Sequence, residues 1–83
     1  MAEVELYTNG SCPFCFRAKA LLNQKNVEFI EIRIDQHPEL RATMIERANG
    51  GYTVPQIFIN QQHIGGCDEM MRLEVEGRLD ALL

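Results

Sequence analysis

The chain has 83 residues, 46% of them apolar and 24% charged, with a formal net charge of −4. That balance fits one small globular domain, expected to span residues 1–83, and excludes a disordered acidic segment. Nucleic acid and anionic membranes are disfavoured as partners, because each needs a basic patch, and no apolar run approaches the roughly 18 residues of a membrane span.

Met1-Ala2-Glu3 starts no basic-then-apolar export signal, so the expected state is a cytoplasmic monomer. An odd cysteine count, with only Cys12 and Cys15 close together, fits a catalytic or metal-binding use better than a stapled secreted scaffold.

Val4, Leu6 and Thr8 alternate with Glu5 and Tyr7, which predicts a short strand running into the turn residues Asn9-Gly10-Ser11. Pro13 suits the first position of a following helix, because its missing N–H would be unpaired there, and Cys12 becomes the N-cap. Phe14, Ala18, Leu21 and Leu22 then share one face. Val27 to Ile34 carries β-branched and aromatic residues on both alternating sets, which predicts a strand covered on both faces.

Pro38 opens a second helix with Leu40, Met44, Ile45 and Ala48 as its buried stripe, and Asn49-Gly50-Gly51 ends it. Thr53 to Asn60 reads as a strand interrupted by Pro55, Asn60-Gln61-Gln62 as a turn, and His63-Ile64 as a return strand broken by Gly65-Gly66. A last helix is expected from about Asp68 to Glu76, closed by Gly77. The order β-α-β-α-β-β-α implies a right-handed parallel crossover followed by an antiparallel hairpin, hence a three-layer α/β/α sandwich on a four-stranded mixed sheet.

Cys12-Pro13-Phe14-Cys15 is a C-x-x-C between a strand and a helix, the context that makes this short pattern a redox signal. A thiolate is the nucleophile in such chemistry, and the unpaired N–H groups and positive end of a helix stabilise an anion there by typically about 0.3–2 kcal/mol. Cys15, one turn on and facing inward, is expected to be the less accessible, resolving thiol. Pro13 keeps the spacing rigid, and Phe14 is either a rim residue or an ordinary aromatic. Half of a zinc site is the alternative, with Cys67 and His37 or His63 as further ligands, but the compact two-pair spacing is missing.

With these segments in this order, the chain resembles the glutaredoxins, specifically the short bacterial dithiol kind. The resemblance runs through Val4 to Thr8, Cys12 to Cys15, Arg17 to Leu22, Thr53 to Ile59 and His63 to Asp68. It implies a thioredoxin-like fold and no metal. It also implies glutathione as co-substrate, and a cis Val54-Pro55 peptide beside the active cysteine whose backbone pairs with glutathione.

Thr53, Val54 and Pro55 would then form one side of the glutathione site. Gly66, Cys67 and Asp68 would clamp the γ-glutamyl end, with Asp68 on the α-ammonium. Members of this kind usually carry a lysine at the position of Asn9 and a tyrosine at that of Phe14. The change to Asn9 implies weaker glutathione affinity or less thiolate at Cys12. Arg47 is a weak candidate to compensate on the glycine carboxylate, and Cys67 itself reads as a small buried residue.

The activity so implied is reduction of protein–glutathione mixed disulfides and protein disulfides through Cys12 as nucleophile and Cys15 as resolving thiol, with a redox-active Cys12–Cys15 disulfide. Partners are glutathionylated or disulfide-containing proteins, ribonucleotide reductase among them. Two rivals stand beside it. One is a redoxin reduced by thioredoxin reductase; the other is an iron–sulfur carrier, against which Pro13 and Cys15 count.

Overall fold

Backbone pairing in the sheet begins where the sequence alternates. The computed structural model of the protein describes residues 2–83, and Met1 lies outside the described residues. Its elements are β1 (Val4–Thr8), α1 (Pro13–Gln24), β2 (Ile30–Arg33), α2 (Leu40–Arg47), β3 (Gln56–Ile59), β4 (Gln62–Gly65), α3 (Cys67–Val75) and α4 (Leu79–Leu82). The strands lie in the order β2-β1-β3-β4. β1 and β2 are parallel, while β3 runs antiparallel to both β1 and β4.

The two faces of this sheet carry separate apolar layers, because successive strand side chains alternate. Val4, Leu6, Ile57 and Ile59 meet Ala18 and Leu22 of α1, Met70 of α3 and Leu79 of α4. On the opposite face Tyr7 and Phe58 meet Met44 of α2 and Ala48, its C-cap. The result is the expected three-layer α/β/α sandwich, with one difference at the end: after Gly77, at φ +72°, the short helix α4 returns Leu79 to the core.

β2 is shorter than the alternation predicted. Pairing starts at Glu5 with Ile30, one residue after β1 itself begins at Val4. Val27 and Phe29 pack against the core without joining the ladder, so their apolar character reflects burial and not strand pairing. β2 is also an edge strand, and Ile30 is 57% exposed rather than covered. The second helix starts later than Pro38: Leu40 and Arg41 donate back to His37 and Pro38 at 2.9 and 3.2 Å, forming a tight first turn. The hairpin turn is Asn60-Gln61, both with positive φ, as a two-residue turn of the primed kind requires.

Candidate active site

Cys12 is the N-cap of α1, with Pro13 directly inside the helix. Its Sγ accepts the Cys15 backbone N–H at 3.2 Å and donates to the Val54 carbonyl at 3.6 Å. The first contact is what an N-cap side chain does for an orphan helix donor, here with sulfur in place of oxygen. A thiolate at that atom would accept the same N–H as a charge-assisted bond, which is stronger.

Cys12 is partly accessible and Cys15 fully buried, and the structure leaves both thiols free. Burial pushes the Cys15 thiol up to about 12, with the hydrogen bond to Cys12 adding to the shift. Cys67 is also buried and its thiol is also raised, first by burial. The pair is therefore asymmetric: one thiol partly accessible against a backbone donor, the other held protonated beneath it.

The loop that carries Cys12 is built locally. Asn9 Oδ1 accepts from the Ser11 backbone N–H at 3.0 Å and the Ser11 hydroxyl at 3.2 Å. Gly10 N–H donates to Asp35 at 3.2 Å, and Arg33 grips the same carboxylate with two hydrogen bonds, at 2.8 and 2.6 Å. Those bonds from Arg33 hold the Asp35 carboxyl well below the usual carboxylate range. Asn9 thus orders the loop, and the Arg33–Asp35 partnership that pins it is a contact between β2 and the loop which spacing alone does not reveal.

A groove of about 380 Å³ opens along Val54, whose carbonyl accepts from Cys12 Sγ at 3.6 Å. Phe14, 51% exposed, forms one rim, with the Arg17 guanidinium 5.8 Å from its ring centroid. The Thr53-Val54-Pro55 strip and Gly66, Cys67 and Asp68 at the start of α3 form the walls. Val54-Pro55 is the cis peptide bond of the structure. A Cβ on Gly66 would stand 3.3 Å from the Pro55 carbonyl, so a glycine lets the start of α3 approach this strip closely. A larger hollow of about 930 Å³ lies at the other end of the sheet, near Ala2, Phe29 and Leu83, and contains no cysteine.

Of the two readings the sequence leaves open for Phe14, the structure has it on the groove rim, half exposed. Arg47, a weak candidate for a ligand carboxylate, is held across the face of the sheet that α2 covers. Its guanidinium bonds Glu5 at 3.0 Å, the Tyr7 hydroxyl at 2.9 Å and Gln61 at 3.0 Å, and lies 4.2 Å from the Phe58 ring centroid. The groove walls do not include it. Its partners sit far away in sequence, so a cation at a helix end gave no local sign of them.

Known proteins resemble this chain in sequence and in fold. The sequence profile of the glutaredoxin family matches residues 4–64. Glutaredoxin 3 of Escherichia coli is 55% identical over 83 residues, which is 100% of this chain and 99% of that protein. A probable glutaredoxin of Synechocystis is 55% identical over 82 residues, 99% of this chain and 93% of that protein.

Among solved structures, the crystal structure of a buckwheat glutaredoxin–glutathione complex matches with a TM-score of 0.91 at 30% identity, covering 99% of this chain and 76% of that one. The solution structure of a glutaredoxin from Brucella melitensis matches with a TM-score of 0.86 at 55% identity, covering 100% of this chain and 89% of that one. The chain therefore belongs to the glutaredoxin family and is a thiol–disulfide oxidoreductase on the thioredoxin fold.

Proposed function

We propose that this chain is a single-domain, glutathione-dependent oxidoreductase that reduces protein–glutathione mixed disulfides and protein disulfides. The observation that carries the reading is the asymmetry of its thiols: Cys12 Sγ faces the Cys15 N–H at 3.2 Å at a helix N-terminus, while Cys15 is buried below. The buckwheat relative, solved with glutathione, supports the choice of co-substrate.

In this mechanism the Cys12 thiolate attacks the glutathionyl sulfur of a mixed disulfide. A new S–S bond joins Cys12 to glutathione, the old S–S bond breaks, and the protein thiolate leaves with the electron pair and takes a proton from water. A second glutathione thiolate then attacks the glutathionyl sulfur on Cys12, releasing glutathione disulfide and restoring the Cys12 thiolate. With a protein disulfide, Cys12 forms the mixed disulfide and Cys15, losing its proton, displaces the substrate to give Cys12–Cys15. Two glutathiones reduce that bond in turn.

Val54 supports substrate alignment, because its N–H donates to no other group among the described residues and lies in the groove wall. Thr53 and Pro55 shape the same wall. Cys67 and Asp68 hold the γ-glutamyl end through their backbone N–H groups and the exposed Asp68 carboxylate at the start of α3, while Gly66, whose own N–H is taken by Glu69 at 2.7 Å, lets the helix start come close to the groove wall. Pro13 and Phe14 support the site from α1. Arg47 has no part in it.

The test is glutathione-dependent reduction of a glutathionylated peptide, coupled to glutathione reductase, in wild type, Cys12→Ser and Cys15→Ser. Loss in the first variant with retention in the second is the expected result. An inactive wild type that accepts electrons from thioredoxin reductase would instead make the chain a redoxin of the other supply line.

A further inference from the structure

Gln56 follows the cis proline directly and is 5% exposed, one of two buried polar side chains among the described residues. A buried amide is stable only when both of its ends find partners. Its Nε2 donates to the Thr53 carbonyl at 2.9 Å, and its Oε1 meets His63 Nε2 at 2.7 Å. The direction of this chain follows from chemistry. A carbonyl can only accept, so the amide nitrogen must face Thr53; the amide oxygen then faces His63, whose Nε2 must carry a hydrogen.

The Thr53 carbonyl and the Val54 N–H belong to one planar peptide group, and in a trans peptide they point in opposite directions. Gripping the carbonyl from the side of Gln56 therefore turns the Val54 N–H away from it, where that N–H has no partner among the described residues. Space for the grip is kept by Gly51, where a Cβ would come 3.0 Å from Gln56 Nε2. The His63 ring is itself steadied 5.1 Å from the Phe58 ring.

We propose that His63 and Gln56 are positioning residues that act through the Thr53 carbonyl to aim the Val54 N–H at an extended, cysteine-containing peptide substrate. The inference rests on the proposed glutathione chemistry and adds to it the residues that set substrate alignment, remote from the reacting sulfurs. Neither residue touches the reacting atoms, so their loss weakens docking and leaves the thiol chemistry intact.

Two measurements decide it. Imidazole ¹⁵N shifts of the wild type near neutral pH should show His63 as the Nε2–H tautomer. Gln56→Glu keeps the size and the acceptor for His63 but presents oxygen to the Thr53 carbonyl. It should shift the Val54 amide resonance and raise KM for a glutathionylated peptide about fivefold, the effect of roughly one hydrogen bond.

Its kcat and its Cys12 alkylation rate should stay within about twofold of wild type. His63→Phe should move KM the same way, and His63→Gln, which restores a donor, should bring it back. An Nδ1–H tautomer, or an unchanged KM and Val54 resonance in folded Gln56→Glu, would overturn the proposal. A wild type without glutathione-dependent turnover would overturn the functional reading instead, and the tautomer and Val54 resonance would still decide the relay.

Discussion

The Cys15 backbone N–H points at the Cys12 sulfur from 3.2 Å, so the residue whose own thiol is buried supports charge on its neighbour. Iodoacetamide near pH 8 should therefore modify one of the three cysteines. Mass spectrometry of the reduced protein is expected to find a single adduct, at Cys12, with none at Cys15, whose thiol burial pushes up to about 12, nor at Cys67. Equal labelling of Cys12 and Cys15 in the folded protein would refute this asymmetry.

Leu22 and Ile30 give opposite expectations from similar side chains. Leu22 is fully buried between α1 and the sheet, so Leu22→Ala should destabilise the fold by about 2–5 kcal/mol through lost burial and a residual cavity. Ile30, 57% exposed on the edge strand, should lose less than about 0.5 kcal/mol on the same change. Urea unfolding of the two variants measures both, and a large loss at Ile30 would show that something covers that edge.

Much of this architecture could be read from neighbouring residues, and the exceptions share a cause. Pro13 after Cys12, Asn49-Gly50 after α2 and Gly77 after α3 mark helix ends by local backbone chemistry, and each stands where the pattern put it. The extent of β2 is set by its register with β1, Glu5 opposite Ile30 to Thr8 opposite Arg33, a property of another segment. Val27 and Phe29 are apolar for packing reasons that alternation cannot separate from pairing. The C-x-x-C and the groove residues were visible as motifs, whereas the Gly10–Asp35 pin and the Gln56–His63 contact join residues that only the folded chain brings together.

Arg47 shows this most clearly, because the sequence offers it only as a weak candidate for a ligand and the structure places it on the sheet. Its guanidinium bridges Glu5, Tyr7 and Gln61 and stacks 4.2 Å from Phe58. Arg47→Met should thus destabilise the protein by about 1–3 kcal/mol, since it leaves the partly buried Glu5 carboxylate without its cation. KM for glutathione in the coupled assay should stay within about twofold, because the guanidinium does not line the groove. A selective rise in KM with unchanged stability would return Arg47 to the binding site.

Acid should weaken the fold through Glu31. Burial alone would push its carboxyl up, but hydrogen bonds from Lys19 at 2.8 Å and Thr8 at 2.7 Å outweigh that and lower it below 4.5. The sign follows from proton binding: between the lowered folded value and 4.5 the unfolded chain binds more protons, so stability falls as pH falls. The contribution is complete above about pH 4.5 and disappears as pH drops through the folded value. Because the pair is partly exposed, its size is about 1 kcal/mol or less. Glu31→Gln should therefore be less stable than wild type near neutral pH, with the gap closing on acidification. Urea midpoints at about pH 7 and about pH 3 measure that gap, and one that stays constant would assign the effect to packing rather than charge.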